Sequence, residues 1–221
     1  MVTIIKKGEF IEVEYTGKLK DNNKVFDTTS EKIAKDSGIF NPGVNYGPVV
    51  ICVGQGHLLK GLDNEVVGKE IGKDLHTEIK PEDAFGKKEA KLLKIVPTNI
   101  FKKQNINPAP GMQINIDGLF GIIKTVSGGR SVVDFNHPFS SKEVLYDYKI
   151  NRIVTDDKEK ISSYLILSLN CKPEGFSIDI KDKKATVILK AGVNLDDNAK
   201  QDLELKFKDM IPDLNVEFRD E

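Results

Sequence analysis

The 221-residue chain sets Lys+Arg 33 against Asp+Glu 34, a balance that provides no long-range field for nucleic acid or an anionic membrane. With 39% hydrophobic and 30% charged residues it reads as a soluble globular protein, with room for one large domain or roughly two to three small ones. No run approaches the ~20 apolar residues of a membrane span. Residues 1–10 carry lysines and glutamate where a signal peptide needs an apolar core, so a cytoplasmic location is expected.

Ile11, Val13 and Tyr15 alternate with Glu12, Glu14 and Thr16, the period of a half-buried antiparallel strand. Residues 31–48, punctuated by Gly38, Pro42, Gly43, Gly47 and Pro48, read as a long polar loop that either has a job, such as covering a site, or is mobile. Residues 56–68 read as one short helix, with Leu58, Leu59, Leu62 and Val66 on its apolar face and Gly68 as its stop. Leu75, Thr77 and Ile79 alternate with His76 and Glu78, and Val144, Tyr146, Tyr148 and Ile150 alternate with Leu145, Asp147 and Lys149. The α+β expectation is a curved antiparallel sheet packed on that helix.

From Lys87 the texture changes to short strand candidates at 95–97, 112–116, 119–126 and 131–135, separated by Pro108-Ala109-Pro110-Gly111 and Ser127-Gly128-Gly129-Arg130. The strands flanking this β-rich unit belong to the first sheet, so it is inserted, not appended. The expected division is 1–86 with 135–154, the insert 87–134, and a C-terminal domain 155–221. The last reads as helix 158–169, strand 176–180, strand 185–190, helix 195–211 and strand 214–218, an αββαβ order. Asn194 is the expected N-cap of the second helix, and Ala199, Leu203, Phe207 and Met210 form its buried stripe before Pro212. So short a segment makes a thin core, which suggests a homodimerisation module.

Cys52 and Cys171 lie far apart among apolar neighbours and read as buried reduced thiols. His57, His76 and His137 lack zinc-ligand spacing, so no metal and no cofactor is expected. The informative motifs are Tyr15-Thr16-Gly17, Val25-Phe26-Asp27, Gly54-Gln55-Gly56-His57-Leu58-Leu59-Lys60-Gly61-Leu62 and Pro81-Glu82-Asp83-Ala84-Phe85-Gly86. They contain no nucleophile–base pair and no phosphate loop. If they converge, they form an apolar pocket with one acid beside it, suited to holding an apolar group.

In this order the motifs resemble those of the FKBP-type peptidyl-prolyl cis-trans isomerases over residues 1–154. Ile95-Val96-Pro97 and Asn136-His137-Pro138 resemble the insert boundaries of the SlyD-like, insert-in-flap branch, and the extra C-terminal segment makes the chain similar to the long archaeal members. The resemblance implies an isomerase pocket lined by Tyr15, Phe26, Asp27, Leu58, Leu59, Leu62, Phe85 and Tyr146. Leu62 stands at the floor, and Phe85 replaces the Tyr of the family's Ala-Tyr-Gly, removing one hydroxyl donor. It also implies that the insert captures unfolded, proline-containing chain, with Ile100, Phe101, Leu119, Phe120, Ile122 and Ile123 as its most apolar stretch. The plain alternatives are that the pocket residues are ordinary core, that Asp27 caps the turn at Thr28-Thr29, and that the insert's apolar residues form its own core. The competing function is a non-catalytic holdase or ribosome-associated chaperone; neither nucleic acid nor membrane is an expected partner.

Overall fold

The structure is a computed structural model that describes residues 4–103, 105–116, 118–169 and 171–221. In chain order its elements are β1 (Phe10–Leu19), β2 (Val25–Thr28), α1 (Glu31–Asp36), β3 (Val49–Cys52), α2 (Lys60–Glu65), β4 (Asp74–Ile79), β5 (Leu93–Pro97), α3 (Thr98–Lys103), β6 (Gln113–Ile116), β7 (Leu119–Ser127), β8 (Arg130–Asp134), β9 (Val144–Ile153), α4 (Asp157–Leu169), β10 (Phe176–Lys181), β11 (Lys184–Leu189), α5 (Asp197–Met210) and β12 (Asn215–Asp220). They fall into two compact units, Met1–Ile79 with Val144–Glu221, and Lys80–Glu143.

In the first unit, antiparallel strands run in the order β2-β1-β9-β4, with β3 also paired to β1. The alternation in β1 puts Ile11 and Val13 at 0% exposure while Glu14 stays in water, so burying one face fixes the register. The segment expected as one loop at 31–48 begins instead with α1. Ser30 accepts the Ile33 N–H as N-cap, Glu31 pairs with Lys35 one turn on, and Ala34 is fully buried. Those local signals outweighed the glycines and prolines, which begin only at Gly38. The helix expected at 56–68 is shorter, Lys60–Glu65, because Gly54 and Gly56 take φ of +88° and +75° and hold the preceding residues as a loop.

The expected boundary between 154 and 155 cuts through one core. Phe10, Cys52 and Val154 pack in the same cluster as Ile161, Tyr164, Leu165, Val187, Leu203 and Phe207. Here β10 pairs antiparallel with β11, and β11 pairs parallel with β12. Asp196, not Asn194, is the N-cap of α5, its carboxylate accepting the Ala199 N–H at 2.7 Å. Leu203, Phe207 and Met210 are buried as their spacing requires, whereas Ala199, expected in the same stripe, is half-buried in the first turn. Cys52 is buried and Cys171 half-buried, both as free thiols.

The second unit lies in the chain between β4 and β9, whose Ile79 and Val144 are cross-strand partners. Its four antiparallel strands run β5-β8-β7-β6. It begins and ends several residues outside the expected 87–134, because the two legs of the connection are bonded to each other. Ser141 N–H donates to the Gly86 carbonyl at 2.8 Å, and the Asn136 side chain accepts from Glu89 N–H at 2.7 Å and donates to the Glu89 carbonyl at 3.2 Å. Phe101 on α3, at 2% exposure, packs with Ile114, Ile123 and Val133 to form the core. This helix was not foreseen, since the run 98–103 contains β-branched and aromatic residues that carry no clear helical period.

Candidate active site

Gly17 is the key to one cluster. It faces Tyr146 on β9 and Asp27 on β2 in the ladders on either side of β1. A Cβ at Gly17 would lie 2.8 Å from Phe26 Cζ and 2.9 Å from Tyr146 Cε1 and Cζ, so the absence of a side chain lets both rings cross the strand. Phe26 and Tyr146 meet edge to face at 5.9 Å and 86°, and Tyr15 meets Tyr146 at 5.8 Å and 62°.

Asp27 is the acid of this group. The residue as a whole is exposed, yet its carboxyl is hydrogen-bonded to the Tyr15 hydroxyl and is partly stripped of water. That desolvation raises its pKa, against the opposing hydrogen bonds from Tyr15 and the Thr28 backbone. The Tyr15 and Tyr146 hydroxyls are both pushed up, by burial first and by the Asp27 charge second. At neutral pH both phenols are protonated donors beside a carboxylate. Such a group can orient polar backbone at the edge of an apolar surface, but it contains no activated nucleophile.

Leu58, Leu59 and Leu62 sit on a separate piece, the 54–59 loop and α2, which packs against β4. Leu58 and Leu62 are buried at 7% and 1%, while Leu59, the N-cap residue of α2, is half-buried. The loop is held from within by Asp63. This buried carboxylate accepts Gly54 N–H at 2.9 Å and Gly56 N–H at 3.4 Å. Sequence reading missed both Asp63 and the close approach at Gly17. The signals available were an acid one turn into a helix that follows a Gly-x-Gly loop, and a glycine inside a strand pattern.

Phe85 belongs to the second unit. There it stacks on His137 at 4.6 Å and 2° and meets Phe139 at 5.3 Å. The apolar stretch expected to capture substrate divides in two. Phe101 and Ile123 are buried in the unit's own core and so are not part of an exposed strip; Ile122 is half-buried. Phe120 at 77%, Leu119 at 56% and Ile100 at 41% are exposed, as is Ile95 on β5 at 65%.

A groove of about 840 Å³ runs along β1, β4 and β9, lined by Glu14, Tyr15, Thr16, Leu75, His76 and Asp147 among others. Within it Asp147 is bonded to Lys18 at 2.6 Å and to His76 Nδ1 at 2.8 Å. Among the described residues no group of His, Cys, Asp and Glu could hold a metal ion, and no helix is long and apolar enough to cross a membrane.

Residues 2–102 match the family described as FKBP-type peptidyl-prolyl cis-trans isomerase, and residues 94–139 match that described as FKBP26, IF domain. A short-type peptidyl-prolyl cis-trans isomerase of the archaeon Methanocaldococcus jannaschii is 31% identical over 159 residues, which cover 72% of this chain and 100% of the relative. A probable FKBP-type 16 kDa isomerase of Pseudomonas fluorescens is 30% identical over 108 residues, 47% of this chain and 71% of the relative. The FKBP-type isomerase SlyD of Pasteurella multocida is 29% identical over 108 residues, 47% of this chain and 53% of the relative. The chain belongs to the FKBP-type peptidyl-prolyl cis-trans isomerases. It is an enzyme of Xaa-Pro bond rotation, built as a mixed α+β protein whose sheets are antiparallel except for the β11–β12 pair.

Proposed function

We propose that Tyr15, Phe26, Asp27 and Tyr146, with Leu58, Leu59 and Leu62, form the isomerase pocket, and that the exposed apolar residues of the second unit capture unfolded chain. The observation that carries this reading is the edge-to-face contact of Tyr146 with both Phe26 and Tyr15, with the Asp27 carboxyl bonded to Tyr15.

Amide resonance sets a barrier of ~18–20 kcal/mol to rotation about the Xaa-Pro bond. The twisted transition state has lost that resonance and is less charge-separated than the planar ground state. An apolar wall of Phe26, Tyr146 and the leucines solvates the planar dipole poorly and so favours the twisted form, which is differential binding. Leu62, buried beneath the surface, supplies the floor for the proline ring. The Leu59 N–H belongs to an N-cap residue and is not used by the helical ladder, which suits it to hold the carbonyl before the proline. Asp27 and Tyr15 orient the flanking backbone. A preference of a few kcal/mol is enough, since each ~1.4 kcal/mol is tenfold in rate, and no covalent step is involved.

In this reading residues 87–134 are a capture module, with Leu119 and Phe120 at its exposed face. Apolar side chains there would bind extended segments with little sequence preference and raise their concentration near the pocket. Leu167 and Leu205, exposed at 41% and 62% on α4 and α5, are the candidates for contact with a second copy of the chain. The buried Cys52 thiol, pushed up to about 11 by burial, stays protonated and unreactive, in keeping with a cytoplasmic setting.

The test compares isomerisation of a short Xaa-Pro peptide with refolding of a proline-limited protein. Asp27→Ala and Phe26→Ala should lower both rates, whereas Leu119→Ser with Phe120→Ser should lower only the second. Full peptide activity in both pocket variants would remove the pocket assignment. A parent chain that does not accelerate peptide isomerisation, yet loses refolding assistance in Leu119→Ser with Phe120→Ser, would favour the holdase reading.

A further inference from the structure

The loop that carries Leu58 and Leu59 has no ladder of its own to hold it. Two of its residues are glycines at positive φ, and it lies between the end of β3 and the start of α2. Inside, Asp63 accepts the Gly54 and Gly56 N–H groups, and the Lys7 side-chain carbons lie where a Gly54 Cβ would be, the nearest at 2.6 Å. Outside, the His57 ring meets Tyr164 of α4 edge to face at 4.9 Å and 69°.

Tyr164 is itself immobilised. It is 4% exposed and packs at 5.1 Å and 65° on Phe207 of α5, in the middle of the core shared with Phe10 and Cys52. His57 Nδ1 is buried without a hydrogen-bond partner, so shape and ring contact hold the imidazole there, not hydrogen bonding at that nitrogen. The groups acting on it are Asp63 from α2 and Lys206 from α5.

We propose that His57 and Tyr164 form a latch through which the C-terminal α4–β12 segment positions the 54–59 loop, with Asp63 as the inner half of the same clamp. His57, Tyr164 and Asp63 are then positioning residues for isomerisation, acting through Leu58 and Leu59. This rests on the pocket reading above. It gives the C-terminal segment a role inside one chain: an aromatic anchor delivered from α4 presses the loop onto Asp63, and Leu59 N–H is held where a substrate carbonyl would meet it. An unanchored loop would sample other conformations, and binding would first have to select the competent one.

The experiment uses the full chain and two readouts, amide hydrogen exchange at Gly54 and Gly56, the loop N–H groups bonded to Asp63, and kcat/KM on a short Xaa-Pro peptide. His57→Ala should speed exchange at both amides and lower kcat/KM, each by roughly three- to tenfold, as loss of one aromatic edge contact implies. His57→Phe should rescue both, because the lost Nδ1 has no partner to miss, and Tyr164→Phe should behave like the parent. Since His57 is only half-buried, circular dichroism and urea midpoint should show the Ala variant folded. Unchanged exchange in His57→Ala overturns the latch. So does failure of His57→Phe to rescue, which would give the imidazole a chemical part. Faster exchange with unchanged kcat/KM would leave the loop anchored as described but sink the assignment of Leu58 and Leu59 to the pocket.

Discussion

Substituting Gly17→Ala tests the centre of the proposed site with a single methyl group. Its Cβ would lie 2.8 Å from Phe26 Cζ and 2.9 Å from two Tyr146 ring atoms, where carbon pairs prefer about 3.5–4.0 Å. Both rings must therefore retreat by roughly 0.7–1 Å or the strand must bend. Tyr146 is 2% exposed and touches Tyr15 as well, so it has little room to yield. Overpacking of this kind costs about 1–3 kcal/mol. The alanine recovers ~0.5–1 kcal/mol of backbone entropy within a strand, leaving a net loss of roughly 0–2.5 kcal/mol. Because the displaced atoms are the pocket wall itself, kcat/KM on an Xaa-Pro peptide should fall by tenfold or more, beyond what the fraction unfolded explains. Gly121→Ala is the matched control. Its Cβ would meet Val133 at 2.7 Å and Phe135 at 2.8 Å, in the second unit. It should lower stability comparably while sparing peptide isomerisation. A folded Gly17→Ala protein with parental peptide kinetics would refute the assignment of Phe26 and Tyr146 to the site.

Further outcomes follow from burial and charge. Phe101→Ala removes a side chain at 2% exposure from a small core and should cost about 3–5 kcal/mol, seen as early loss of exchange protection in 80–143 while β1 and β9 stay protected. Asp27 has a raised folded pKa, so its contribution to stability is present below the ordinary value of ~3.9 and is lost as pH rises through the folded value. If the carboxylate orients substrate, activity should fall on acidification with a midpoint above ~3.9, and an Asp27→Asn profile should be flat there. His57 is shifted the other way, lowered by desolvation against the pull of Asp63, with Lys206 adding to the lowering. Between its folded pKa and the unfolded ~6.5 the unfolded chain binds more protons, so stability should decline as pH falls through that window. Urea melts at pH 7.5 and 5.5 should show that decline in the parent and a smaller one in His57→Phe.

Much of this protein was legible in its sequence, and the reason is periodicity. The two-residue alternation of β1, β4 and β9 named their buried faces, because a single slip in register would put Ile11, Val13 and Ile150 into water. The stripe Leu203, Phe207, Met210 did the same for α5. The order of motifs also gave the family. What sequence alone left open was every feature set by packing between distant segments. The core uniting Phe10 and Cys52 with α4 and α5 joins residues more than 100 positions apart, and no local pattern announces such a partner. Which apolar residues of the insert were core and which were exposed depended on how α3 folds onto β7 and β8, burying Phe101 and Ile123 while leaving Phe120 outside. Gly17 read as a motif letter until the rings of Phe26 and Tyr146 filled the space above it. Composition and period determine which faces must leave water; only the tertiary structure decides what each face meets when it does.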